Sequence, residues 1–142
     1  MGITLRTAAC CLIGAAIGAA PIAFSAESTG AQLARGGEAY QHSCTNGCHM
    51  PDLRAGKFAP ALSGRIFVEH WQGLAVGELY ERIRNTMPQQ KPHSLSDQTY
   101  VDIVAFLLRS NGGDIGEELQ PDPDALGNMV IRLDVKQGGH AD

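Results

Sequence analysis

Cys44-Thr45-Asn46-Gly47-Cys48-His49 places two thiols and an imidazole within six residues. Three reactive side chains held this close must share one turn of chain, so whatever they bind sits against that turn. Only four cysteines occur among the 142 residues, and the other two, Cys10 and Cys11, lie together near the N-terminus. There Arg6 is the sole early charge, and Thr7 to Ala26 is uncharged and rich in Ala, Ile, Leu and Gly. A basic start, an apolar centre and small residues at the end read as a secretory leader. Cleavage after Ser25, with Ala23 three positions back, fits best; an uncleaved anchor is the alternative, since twenty residues reach the length of about 20 needed to span a bilayer. The expected division is a leader over 1–25, a main domain over 26–113 and an acidic extension over 114–142. Cleavage removes one of 11 basic residues, leaving 10 against 15 acidic ones, a balance of −5. With no basic run to neutralise phosphates, nucleic acid is excluded as a partner.

Two cysteines survive export into a compartment where thiols oxidise readily. A disulfide between them would close a loop too short to stabilise much, and a dithiol of the thioredoxin kind needs two intervening residues and an α/β setting. Zinc would need further ligands close by in the fold. The pattern C-x-x-C-H attaches haem covalently, and here one residue is added between the cysteines. Two thiols can add across the two vinyl groups of a porphyrin, and the following histidine then reaches the iron from the same side. Gly47 offers the backbone freedom for the added residue to bulge. One covalent haem c on Cys44 and Cys48, with His49 on the iron, is the expected cofactor.

The neighbouring sequence is helical. Gly36, Tyr40 and Cys44 recur every four residues, so they share one face of a helix expected from about Gln32 to Ser43. Pro51 to Gly64, with two prolines and two glycines, is a loop. Within it Pro60 to Gly64 can bring a backbone carbonyl to the ring N–H of His49 and fix its orientation. Phe67 and Trp71, four apart, supply apolar wall. A second helix is expected from Val76 to Thr86, ending at Met87-Pro88 because the residue before proline leaves helical geometry. Ser96 caps the last helix, Tyr100, Ile103, Val104, Leu107 and Leu108 form its stripe, and Asn111-Gly112-Gly113 stops it. Beyond the acidic, proline-containing stretch from Asp114 to Asp124, the alternation of Ile131, Leu133 and Val135 suggests a short strand.

For the iron's other side the choice falls on Met87. It ends a helix and begins a loop bracketed by Pro88 and Pro92. His93 is its rival; Met50 adjoins His49, His42 is too near the attachment site, His70 reads as an edge residue, and Met129 and His140 belong to the extension. Thioether ligation raises the potential and leaves no open position for oxygen chemistry. Arg65, Arg82 or Arg84 could balance a propionate.

From Gly36 to Gly113 the chain resembles a class I monohaem cytochrome c. It is similar to the soluble cytochromes and cytochrome subunits that accept electrons from periplasmic quinoprotein dehydrogenases. The likeness rests on Gly36 and Tyr40 before Cys44, the haem signal, Ala59 to Gly64, Phe67 with Trp71, Met87-Pro88, and Leu95-Ser96-Asp97 leading into the helix with Val104 to Leu108. It implies an all-α fold whose first and last helices cross near Gly36. It also implies axial ligation by His49 and Met87, Pro60 supporting His49, and Trp71 lining the pocket near the propionates. The implied role is one-electron transfer in the periplasm of a bacterium, between a dehydrogenase donor and an oxidase or other cytochrome, without an enzymatic activity of its own. A haem subunit bound permanently in a dehydrogenase or respiratory complex is the alternative, as are an open-iron enzyme or gas sensor and a haem-free, disulfide-closed helical module. The net negative charge favours a partner with a basic rim.

Overall fold

Apolar stripes and stop signals resolve into five helices: α1 (Ile22–Ser43), α2 (Arg65–Trp71), α3 (Val76–Thr86), α4 (Asp97–Ser110) and α5 (Pro123–Asn128). The computed structural model describes residues 22–134. The leader expected over 1–25 lies, but for its last four positions, outside the described residues, as do Val135 and the end of the extension. Among the described residues no strand forms, and no helix is long and apolar enough to cross a membrane.

Helix α4 is the centre of the core. Ser96 Oγ accepts the Thr99 N–H at 3.1 Å, which starts the helix as its capping residue predicts. Tyr100, Val101, Ile103, Val104, Leu107 and Leu108 are all buried. Helix α1 crosses it at Gly36, where the α4 backbone at Asp102 comes so near that no side chain would fit. Tyr40 and Phe106 pack beside the crossing with ring centroids 5.7 Å apart. Helix α1 ends at Ser43 as expected but begins ten residues before Gln32. Buried Thr29 and Gln32 hold that added length against the rest of the molecule.

The extension is part of the core. Ile115, Leu119, Leu126, Ile131 and Leu133 are buried. Gln32 clamps it by exchanging two bonds with Leu119: its Nε2 donates to the carbonyl at 2.8 Å and its Oε1 accepts the N–H at 2.8 Å. The same amide donates to Asp102 at 3.0 Å, and Arg35 bridges Asp102 and Glu118. Those two carboxylates hold the Arg35 guanidinium even more firmly protonated than usual, Asp102 contributing most. Helix α5, which packs on α3, was not expected from the sequence; Asp122 caps it, accepting from the N–H groups of Asp124 and Ala125.

The strand expected over Met129 to Val135 does not form. Val130 makes an isolated antiparallel bridge with Ala75. Ile131 exchanges backbone bonds with Gly73 and Leu74, and Met129 accepts from Val76. The pairing stops there because the partner segment enters α3 at Val76 and turns its backbone bonds inward. Ile131 and Leu133 still bury the apolar side of the alternation.

Asn111 joins α4 to the loop that precedes α2. It is buried; its Oδ1 accepts the Gly64 N–H at 2.9 Å, and its Nδ2 donates to the carbonyls of Leu62 at 3.0 Å and Leu107 at 2.9 Å. Asn111→Ala strands all three groups and is expected to cost about 2–3 kcal/mol in denaturant unfolding, the penalty of buried polar groups left unpaired. A loss under about 0.5 kcal/mol, the level of an ordinary surface change, would show that these bonds contribute nothing.

Candidate functional site

The six-residue motif forms the C-terminal turn of α1. The Cys44 N–H still bonds to the Tyr40 carbonyl at 2.9 Å, and the His49 N–H returns to the Cys44 carbonyl at 3.0 Å. Between them the three-residue spacer makes its own turn. Thr45 Oγ1 donates to the Gln41 carbonyl at 2.6 Å and Asn46 Nδ2 to the His42 carbonyl at 2.7 Å, satisfying acceptors left free at the helix end. Gly47 adopts φ +82°, a conformation that side chains disfavour. The added residue is thus absorbed without displacing Cys48 from the turn.

Tyr40 fixes the turn from behind, its hydroxyl donating to the Met50 carbonyl at 2.7 Å. His49 is buried, with its ring 6.5 Å from that of Tyr40. Burial lowers its proton affinity, the Pro60 carbonyl acts in the opposite sense, and the net shift is downward. The imidazole therefore keeps a lone pair for a ligand bond. Its Nδ1 is buried without a complete hydrogen bond. Neither cysteine is in a disulfide; burial first, and Cys48 second, push the Cys44 thiol up to about 11.

This turn forms one wall of a cavity of about 610 Å³, within the range of small-molecule and cofactor pockets. Cys44, Cys48, His49, Pro60, Trp71 and Met87 all line it. They come from four places: the end of α1, the loop before α2, the end of α2, and the end of α3. Phe67, Leu79, Ile83, Ile103 and Leu107 supply an apolar interior, and exposed Phe58 and Ile66 stand at its edge.

The rivals are placed elsewhere. His93 is exposed, sits at φ +60° and does not line the cavity; nor do Met50, Met129 and His42. His70 borders it from an exposed position, its ring edge-on to Trp71 at 4.8 Å. Of the three arginines, Arg65 pairs with Glu69 and Arg84 with Asp97, both at 2.8 Å, while Arg82 lines the cavity. The charged lining is Arg82 and Lys91, with no carboxylate. Local charge at the mouth is therefore opposite in sign to the net charge of −4. An expectation of a basic-rimmed partner drawn from net charge does not describe this face.

The donor set suits a haem attached by two thiols. Two free sulfurs stand one turn from a buried imidazole with an unsatisfied nitrogen, and a thioether lines the same apolar cavity. Among the described residues no three His, Cys, Asp or Glu side chains gather to hold a bare metal ion. Sequence reasoning missed Tyr100 and Asn111 as supports, because both had been accounted for as helix stripe and helix stop. Their polar ends bond across the fold, and nothing local to either residue signals that.

The sequence model of the family described as "Cytochrome C oxidase, cbb3-type, subunit III" matches residues 31–107. No curated protein and no solved structure matches the chain.

Proposed function

The chain belongs to the cbb3-type cytochrome c oxidase subunit III family, and from that premise we propose that it carries single electrons on one covalently bound haem c. The observation that supports this most is the shared cavity, lined by both cysteines, His49 and Met87 together. Cys44 and Cys48 each add across one vinyl group, sulfur bonding to one carbon and the thiol hydrogen passing to the other. His49 then binds the iron through Nε2, while Nδ1 turns its hydrogen to the Pro60 carbonyl, which sets ring orientation and raises ligand basicity. Met87 supplies the second axial ligand. Trp71 and the apolar lining keep water from the site, and Arg82 and Lys91 balance propionate charge.

When bound, the haem supplies a one-electron couple whose potential follows from its ligands and surroundings. A His/Met pair leaves no vacant position, so the role is transfer rather than oxygen chemistry. On this reading the leader directs the chain to the periplasm, residues 26–113 form a class I haem domain, and the extension from 114 braces it. Electrons pass between a periplasmic dehydrogenase and a downstream acceptor. The family relationship favours a second reading, a haem subunit held permanently in a respiratory complex; co-purification with a membrane oxidase would distinguish it from a free shuttle.

The test is the intact mass of the exported, denatured protein, which should exceed the polypeptide mass by one haem. The oxidised protein should also show a thioether-to-iron band in the near infrared that Met87→Ala abolishes. No mass gain would overturn the cofactor assignment. A band that survives in Met87→Ala would overturn the ligand.

A further inference from the structure

Met87 enters the cavity from a segment with little else to hold it. From Gln89 to Ser94 every residue is exposed. The segment's internal backbone bond runs from the Lys91 N–H to the Pro88 carbonyl at 2.8 Å, and the His93 N–H returns to the Arg84 carbonyl at 3.2 Å. Few buried contacts mean a low free energy of local opening. One side chain ties the two ends of this loop together from inside. Tyr100 is 1% exposed, and its hydroxyl donates to the Met87 carbonyl at 2.9 Å while receiving the Leu95 N–H at 3.5 Å. Its ring is fixed in α4, the most buried helix. Outside it, Arg84 Nε and Asp97 close the base of the loop at 2.8 Å.

We infer that Tyr100 is the positioning residue for Met87, setting how often the thioether leaves the iron and hence how firmly the sixth position is closed. This rests on the reading of Met87 as axial ligand. The hydroxyl touches the backbone of the ligand residue and not its sulfur, so it acts on the position of the loop rather than on the electronics of the bond. An added ligand such as imidazole binds only molecules in which Met87 has let go, so its apparent affinity measures that fraction directly.

The experiment uses the haem-loaded full chain, titrated with imidazole in the oxidised state, for wild type, Tyr100→Phe and Leu133→Ala. Leu133 is buried in the extension against Gly113, so its truncation destabilises the fold without touching the loop. Tyr100→Phe should retain its haem and its near-infrared band without imidazole, yet bind imidazole about tenfold more tightly, the effect of removing one to two hydrogen bonds from the closed state. Leu133→Ala should unfold more easily with unchanged imidazole affinity. If Tyr100→Phe binds imidazole as wild type does, or if Leu133→Ala matches its increase, the inference is wrong. The ligand reading is tested separately by the wild-type band and its loss in Met87→Ala; its failure would remove both.

Discussion

Alanine at position 36 should unseat α1 from α4 and cost about 3 kcal/mol or more, at the upper end of what overpacking a tight core does. A Cβ built on Gly36 would lie 2.6 Å from the carbonyl carbon of Asp102 and 2.9 Å from the Phe106 Cβ, and closer still to the Asp102 carbonyl oxygen. Two of these three atoms are backbone, so no side-chain rotation relieves the clash. The helices must separate or shift along one another. Alanine's better helix propensity returns about 1 kcal/mol, too little to compensate. Separation would also break into the Asp102 network with Gln32 and Arg35, and would move Tyr40, whose hydroxyl steadies the attachment turn. The damage therefore reaches the cavity. Gly30 provides the control, since it lies in the same helix and a Cβ there would meet nothing within 4 Å. Denaturant unfolding of the haem-loaded proteins should leave Gly30→Ala at or slightly above wild-type stability. If Gly36→Ala is no worse than Gly30→Ala, the crossing is not where the structure puts it.

What made Gly36 matter could be seen only in part beforehand. Its four-residue spacing with Tyr40 and Cys44 marked a shared face, and the family resemblance placed a helix crossing there. That spacing did not say which backbone it meets. Helix α3 was fully legible, since its apolar stripe and the Met87-Pro88 stop are both local signals. So was the start of α4, where Ser96 and Asp97 do what capping chemistry demands. Helix α5 carried an equally local signal, Asp122 before Pro123 at the first helical position, but the acidic and proline content of its surroundings masked it. The alternation of Ile131 and Leu133 reported burial correctly, yet burial of alternate residues needs no ladder beyond the single bridge at Val130. For the site, the chemistry was written in consecutive residues from Cys44 to His49, and so could be read. The supports were not, because Asn111 bonds to Gly64 and Gln32 to Leu119 over separations of 47 and 87 residues. A polar side chain at such a position looks the same in sequence whether it caps a helix end or bolts two segments together.

Replacing both Cys44 and Cys48 with alanine should remove the covalent haem and, with it, the cooperative fold. Either single replacement leaves one thioether and should keep the mass gain through denaturation; only the double variant should lose it. The energetic consequence follows from the size of the cavity. At about 24 cal/mol per Å³ for an unfilled void, 610 Å³ corresponds to roughly 15 kcal/mol, the upper end of the whole stability of a domain. The cavity opens at its mouth, so its walls would close in or admit water before that penalty is met in full. Either response exposes or displaces Phe67, Leu79, Ile103 and Leu107, which are also the core. With only 6% aromatic residues in the chain, little else can fill the space. His49 and Met87 would remain as ligands in the double variant, and added haem would stabilise it in proportion to its free concentration, as any reversible ligand does. The expected result is a broad, non-cooperative thermal transition without haem, and a haem-concentration-dependent one with it. A double variant that melts sharply without haem would mean that the side chains alone complete the core. Wild-type behaviour independent of added haem, against concentration dependence in the double variant, would show that the two thiols convert a bound cofactor into part of the chain.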